Sequence, residues 1–403
     1  MAEWQTVRLG TIVSTNQSTY SPKEDWQFVN YLDTGNIIMN RVDEIQYINT
    51  STDKLPSRAR RKVELNSIIY STVRPNQLHY GIIKEQPENF LVSTGFAVID
   101  VDFEKAVPDY IYYVLTQQEV TEHLQAIAEQ SVSAYPSIKP SDIENLELLL
   151  PDKKTQGKIV AILSSIDEKI KQNNEINNNL LEQLKAIFKH WFTDNPQLDS
   201  MSQVPLIDLC SVVTKGTTPT TLGKPFVSEG INFIKAESIL DSHTIDKNKF
   251  AFIDTETNDL LKRSVICSGD IVFTIAGTLG RFALVDESVL PANTNQAVAI
   301  IRANNQKVMP EYLYSFFLGN WHNDYYTKRI QQAVQANLSL GTIKSLPIPI
   351  LSDEAMKEYL GIINPIIAMT KANELEISKL EATRDALLPR LMSGELDVSE
   401  LDI

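Results

Sequence analysis

Five histidines, two cysteines and a modest set of basic and acidic side chains are the groups in this chain that could do chemistry. None is arranged to do it. The stretch nearest to a phosphate-binding loop, Gly216 through Gly223, Lys224 and Pro225, has six residues between its glycines where the loop has four. It also puts a proline where the loop needs a hydroxyl for a metal ion. No G-x-S-x-G run offers a nucleophilic serine. His79, His123, His190, His243 and His322 are scattered without zinc-ligand spacing. The [DN]-P-P-[YF] run that would hold a flipped adenine is absent, and no glycine-rich strand-to-helix turn marks a cofactor pocket. Cys210 and Cys267 sit in strand-like apolar surroundings and read as buried thiols. Recognition or assembly is therefore the expected work of the chain, and any catalysis lies with partners.

Recognition groups are easier to find. Arg58, Arg60, Arg61 and Lys62 form the densest basic cluster, either a solvated helix face or a grip on phosphate and guanine. Arg74, His79 and Tyr80 lie on a strand–turn–strand stretch from Tyr70 to Lys84, and Arg281 ends its counterpart from Phe273 through Gly277 and Gly280. Hairpin tips of this kind can enter a major groove. Lys215-Gly-Thr-Thr-Pro219 is a polar turn whose Thr217 and Thr218 could offer hydroxyls to phosphate, or a plain surface turn. Lys235, just after an apolar strand, completes the set of candidate contacts. The net charge of −14 and pI near 4.9 argue against a free-standing nucleic-acid binder. They leave room for a local grip shared with basic partners.

The elements that must carry these groups come twice. Val29-Asn-Tyr-Leu matches Ile231-Asn-Phe-Ile, Ser67-Ile-Ile-Tyr-Ser matches Asp270-Ile-Val-Phe-Thr, and Thr94-Gly-Phe-Ala-Val matches Thr294-Asn-Gln-Ala-Val. Pro108-Asp-Tyr-Ile-Tyr-Tyr matches Pro310-Glu-Tyr-Leu-Tyr-Ser, and Asp142-Ile-Glu-Asn-Leu matches Thr342-Ile-Lys-Ser-Leu. All keep chain order at a spacing of about 200 residues, the signature of a tandem repeat. Residues 35–65 and 238–268 do not align, so the frame is duplicated while exposed loops have diverged, as two different readers on one scaffold require. Strands are expected at Gln27–Leu32, Ser67–Val73, His79–Lys84 and Phe96–Val101, a helix at Asp109–Glu129, and a polar loop before the run Asn145-Leu-Glu-Leu-Leu-Leu-Pro151.

Each copy ends in a long helix with an apolar seam. In the first, over 155–192, the seam is Ile159, Leu163, Ile166, Ile170, Asn173, Asn177, Leu180, Leu184, Ile187 and Trp191. In the second it is Tyr359, Ile363, Ile366, Thr370, Asn373, Ile377, Leu380, Arg384, Leu387 and Leu391. Alternating gaps of four and three mark a coiled-coil seam, and polar seam residues fix register at a cost in stability. Short linkers favour an antiparallel pair with a pseudo-two-fold axis, Asn173 and Asn373 both near it. Pro365 predicts a bend or a start in the second helix. The fold class is thus α+β: two mixed target-binding domains at 1–150 and 196–350, spacer helices at 151–195 and 351–394, and an acidic tail at 395–403. No apolar run approaches the ~18 residues of a membrane span. The N-terminus has no signal-peptide core, so a cytoplasmic location is expected.

On these residues the chain resembles the specificity subunits of type I restriction-modification systems. Ala386-Leu-Leu-Pro-Arg-Leu-Met-Ser-Gly-Glu-Leu396 is similar to that family's C-terminal signature, and Gln183-Leu-Lys-Ala-Ile-Phe-Lys-His-Trp-Phe192 to the end of its first copy. Leu146-Glu-Leu-Leu-Leu-Pro151 and Leu346-Pro-Ile-Pro-Ile350 resemble the leucine–proline run before each family helix, and Ile166-Asp-Glu-Lys-Ile170 the helix itself. Lys215-Gly-Thr-Thr-Pro219 resembles the turn near the start of many recognition domains; the first copy has Ser14-Thr-Asn-Gln-Ser-Thr19 there instead. The resemblance implies a non-catalytic DNA-binding subunit with two target-recognition domains. Each would read half of a bipartite, asymmetric site in double-stranded DNA, with the helices setting the spacer. It implies two modification subunits that methylate adenine with their own S-adenosylmethionine, and two motor-nuclease subunits using ATP and Mg. No cofactor is expected on this chain. The competing expectation is a coiled-coil scaffold or regulator derived from such a subunit that no longer binds DNA.

Overall fold

The computed structural model describes residues 4–131, 135–198, 201–330 and 338–402. The polar loop expected near 130–140 falls partly outside them. By its contacts the chain divides into two compact units, residues 1–172 with 376–403, and residues 173–375. Each long helix therefore contributes one stretch to each unit.

The first unit carries two four-stranded sheets. One has the order Val13–Thr15, Phe96–Val101, Ile68–Ser71, Tyr80–Ile82, all antiparallel. Phe96–Val101 (FAVIDV) is buried except at Asp100, as a central strand covered on both faces must be. The other has the order Gln46–Asn49, Phe28–Leu32, Phe90–Ser93, Ala59–Lys62, with Phe28–Leu32 and Phe90–Ser93 parallel. Gln5–Arg8 pairs with Glu147–Leu150 and so clips the start of the domain to its end.

The second unit repeats the first sheet as Cys210–Lys215, Val298–Ala303, Ile271–Thr274, Phe282–Leu284. It repeats the second as three strands, Ala251–Ile253, Ile231–Ile234, Ala292–Thr294, again with one parallel pair. Where the first unit has the basic edge strand Ala59–Lys62, the second has a 3-10 turn at Lys262–Ser264. Gln203–Pro205 and Pro347–Pro349 form the matching clip.

The helix expected at Asp109–Glu129 is two helices, Pro108–Leu115 and Gln118–Glu129. No glycine or proline marks the break. Thr116 Oγ1 donates to the Tyr113 carbonyl and Gln117 Nε2 to that of Val114, so side chains take over the carbonyls that a continuing helix would use.

The first long helix spans Lys153–Phe188 and closes in a π turn at Lys189–Thr193. Asp152 caps its start, accepting from the Thr155 amide at 3.0 Å and the Thr155 hydroxyl at 2.8 Å. The second spans Asp353–Met392 as one element of 40 residues. It does not begin at Pro365, which lies exposed inside it. Gly394, at φ +75°, ends it as a left-handed cap.

Within each unit the helix stretches run antiparallel. In the first, Asp167 meets Arg384 at 3.1 Å and Lys169 meets Glu376 at 3.9 Å. In the second, Asn373 Nδ2 donates to Asn177 Oδ1 at 2.8 Å, and the rings of Trp191 and Tyr359 lie 5.4 Å apart. The seam residues are buried or half-buried throughout, as the four-three spacing requires. Ile159 and Leu163 are fully buried with Leu391 and Met392; Leu180 and Leu184 are buried in the second unit, as is Ile363. Ile166, Ile170, Ile366, Ile377, Leu380 and Leu387 are half-buried. Asn373 meets Asn177, one helical turn from Asn173, which is 1% exposed.

The frame positions show how two copies diverge without losing geometry. In the first unit Ser67 Oγ accepts from the Glu64 amide at 2.9 Å and donates to Asp100 Oδ1 at 2.5 Å. In the second, the matching Asp270 accepts from the Cys267 amide at 2.8 Å and holds Arg302 through two 2.7 Å bonds. Beside the helices, Asp167, Arg384 and Tyr113 (O–H to Asp167 Oδ2, 2.7 Å) form a polar knot. The second unit has Ile367, Leu184 and Ser315 at the matching places, with Leu184 and Ile367 in one apolar cluster.

Candidate nucleic-acid interface

The basic strand Ala59–Lys62 is an edge strand, not a helix face. Arg58, just before it, is exposed, while Arg60 and Arg61 are half-buried. Lys62 is bound to Glu24 and lies over the Trp26 ring, 5.1 Å from its centroid. The hydrogen bond from Lys62 holds the Glu24 carboxyl below its ordinary range.

Tyr80 is 4% exposed and stacks on Tyr70 at 5.6 Å, inside the core; burial pushes its hydroxyl up to about 12. Its neighbour His79 is half-buried, Nδ1 lying 2.6 Å from the Ile37 carbonyl oxygen. Arg74 is exposed, with its guanidinium 5.2 Å from the Tyr135 ring centroid.

In the second unit Arg281 occupies the place of His79, and the counterpart of Ile37 is Ile239. Arg281 donates to the Ile239 carbonyl at 3.4 Å and makes a two-pronged ion pair with Asp241 at 2.8 and 2.5 Å. The two copies thus set a basic ring or guanidinium against one carbonyl of the same frame. Sequence order alone did not reveal that pairing.

Lys215 and Thr217 lie at the end of Cys210–Lys215 and in the turn after it. Thr218 hydrogen-bonds Gln296. A Cβ on Gly216 would stand 1.8 Å from the Thr294 carbonyl oxygen, so this turn is held tight against the neighbouring strand and only glycine fits. In the first unit Asn16, at φ +54°, follows the strand Val13–Thr15, and its Oδ1 accepts from the Val98 amide at 3.0 Å. Lys235 pairs with Glu237 at 2.7 Å, which lowers the Glu237 carboxyl. Among the described residues no group of three His, Cys, Asp or Glu side chains could hold a metal ion, and no helix is long and apolar enough to cross a membrane.

The carboxylates that engage Lys62, Lys235 and Arg281 leave Arg58, Arg60, Arg61, Arg74 and Lys215 as the candidate cations with no ion pair among the described residues. Four of these five belong to the first unit.

The model of the type I restriction modification DNA specificity domain matches the chain twice, over residues 1–182 and 199–382. Each match takes in one globular part and most of the long helix that follows it. The type I restriction enzyme HindI specificity subunit of Haemophilus influenzae is 26% identical over 98% of this chain and 100% of its own length. The MjaIX specificity subunit of Methanocaldococcus jannaschii is 23% identical over 89% and 85%. The crystal structure of a type I S subunit from M. genitalium is 16% identical, covers 97% of this chain and 96% of its own, and superposes with a TM-score of 0.57, which shows the shared fold. With two specificity domains in tandem over almost its whole length, this chain belongs to the type I restriction-modification specificity subunits, the DNA-recognition component and not the catalytic one.

Proposed function

We propose that each unit of this chain reads one half of a bipartite, asymmetric site in double-stranded DNA. The observation that carries the reading is one frame built twice with different side-chain chemistry at matching places: Ser67 and Asp100 against Asp270 and Arg302, His79 against Arg281, Met39 against Asp241. Two equal partners need two equal frames; two unequal half-sites need two unequal surfaces. Recognition domains at 1–150 and 196–350 are the readers. The helices at 151–195 and 351–394 set the number of base pairs between half-sites and dock two modification subunits. Those subunits carry S-adenosylmethionine and methylate adenine. Two motor-nuclease subunits with ATP and Mg complete the restriction complex in the cytoplasm.

Charge supports a shared grip. At −14 the chain repels the DNA backbone as a whole, so basic partner subunits supply much of the phosphate contact and the affinity falls steeply with salt. Selective binding is expected only with modification subunits present. Methylome sequencing of cells that express the assembled complex reads out both half-sites and their spacing. Inserting four residues within 165–185 should change the spacing and leave the half-site bases unchanged. A change in the bases, or no selective binding in any mixture, would sink the reading.

A further inference from the structure

The first unit holds a cluster of non-glycine residues at positive φ; in the matching second-unit loop that conformation is taken by glycines, Gly277 at +75° and Gly280 at +87°. Ile37–Ile38 and Arg41–Val42 pair as a two-strand hairpin closed by Met39 and Asn40 alone. Both closing residues have positive φ, +48° and +63°, as a two-residue hairpin turn demands. Asparagine tolerates that conformation, but methionine at the first position is costly where glycine or asparagine is the usual choice. The adjoining loop has two more such residues, Arg74 at +49° and Leu78 at +57°.

The two loops brace each other. The Met39 amide donates to the Leu78 carbonyl at 2.9 Å and the Asn40 amide to that of Tyr80 at 2.8 Å. Asn40 Oδ1 accepts from the Ile82 amide at 2.9 Å. The Arg74 amide donates to the Pro136 carbonyl at 3.0 Å, which brings Tyr135 under the guanidinium.

What this rigid pair of loops presents is apolar and cationic. Ile38, Met39 and Val42 are 42%, 46% and 43% exposed, and Tyr135 is 60% exposed beside Arg74. At the matching tip of the second unit stands Asp241, which closes on Arg281. A position that is constant in its frame and opposite in its chemistry is where two readers should differ. Strain of this kind persists where a side chain must be held in one place for a task.

We propose that the Met39 hairpin and the Arg74–Tyr135 stack are the base-reading surface of the first unit. The apolar tip contacts thymine methyl groups in the major groove, and Arg74, held over the Tyr135 ring, grips a guanine edge or a neighbouring phosphate. The assignment rests on the reading of this unit as a half-site reader. A plate of tyrosine and arginine suits nucleic-acid contact, and DNA is the one partner of this family whose surface offers methyl groups and guanine edges side by side.

The test uses the full chain assembled with its modification subunits on duplexes carrying the methylated site. Replacing thymine by deoxyuridine in the first unit's half-site removes only the methyl group. Wild type should lose about fourfold in affinity per contacted methyl. The M39G complex should bind the thymine duplex with that same loss and show no further loss on deoxyuridine. Because glycine relieves the turn, M39G should melt no lower than wild type. R74K, which keeps the charge and loses the planar guanidinium over the Tyr135 ring, should weaken the first half-site tenfold or more and leave the second unchanged.

Equal deoxyuridine effects in wild type and M39G, a first half-site without thymine, or M39G and R74K binding like wild type would each overturn the assignment. Failure of M39G to assemble with the modification subunits would overturn it in favour of a protein-docking surface. Absence of selective binding by the wild-type complex would instead sink the half-site reading itself.

Discussion

Replacing Arg302 with methionine tests how the second unit tolerates the loss of its Asp270–Arg302 ion pair. Asp270 is fully buried, and its carboxylate accepts from Arg302 at both oxygens and from the Cys267 amide. Methionine retains the apolar stem but leaves that carboxylate with a single amide donor, and the Val265 carbonyl loses its bond from the same guanidinium. Breaking one side of a buried pair costs about 3–5 kcal/mol. In a unit of this size that lowers its melting point by roughly 6–20 °C.

The decisive comparison is a transplant of the first unit's solution. The double variant D270S/R302D copies Ser67 and Asp100, which make the same turn bond and a 2.5 Å bond across the strands. It should recover most of the loss. Calorimetry of the full chain, with hydrogen exchange over Ile271–Thr274 and Val298–Ala303 to assign the transition, reads both variants. The reasoning fails if R302M melts within about 3 °C of wild type, or if the transplant melts no higher than R302M.

Further predictions concern single positions. His322 is 6% exposed, and burial pushes its imidazole down to about 4. It therefore contributes stability above pH 6.5 that is lost as pH falls through about 4, about 3 kcal/mol in full; H322F should flatten the unfolding free energy between pH 7 and 4. Burial, then the charge of Asp286, pushes the half-buried Glu374 up to about 7. Its contribution is complete below about pH 4.5 and is lost as pH rises through about 7, so E374Q should raise the melting point at pH 8 and change little at pH 5. G216A drives a methyl onto the Thr294 carbonyl and should cost about 1–3 kcal/mol, measured by urea midpoint. R384L leaves Asp167 with the Tyr113 hydroxyl; the site is partly open, so about 1–2 kcal/mol is expected. D167I/R384L, which copies the second unit, should restore it.

Much of the architecture was legible because it is periodic. The four-three seam named the buried faces of both long helices, and the repeat named the strands at Phe28–Leu32, Ile68–Ser71 and Phe96–Val101 within a residue or two. What escaped was set by contacts distant in sequence. Glu24, Glu237 and Asp241 decide which of the candidate cations carry an ion pair, and Tyr80 looks like a hairpin-tip residue until Tyr70 and Tyr112 close over it. Residues 35–65 could not be aligned, yet they contain the Met39 turn. Its signal was a two-residue gap between Ile37-Ile38 and Arg41-Val42, with asparagine second and no glycine. The break after Leu115 depends on two side-chain bonds that no spacing rule would flag.

The knot of Asp167, Arg384 and Tyr113 bears on how a duplicated gene ages. Its anion is written in one copy and its cation in the other, while the corresponding places of the second unit are leucine and isoleucine. Two copies of either half alone would each strand a lone charge against an aliphatic side chain. The ancestor's sameness has been spent: the halves have become complements, and neither helix can be replaced by a second copy of the other without losing one partner of the ion pair.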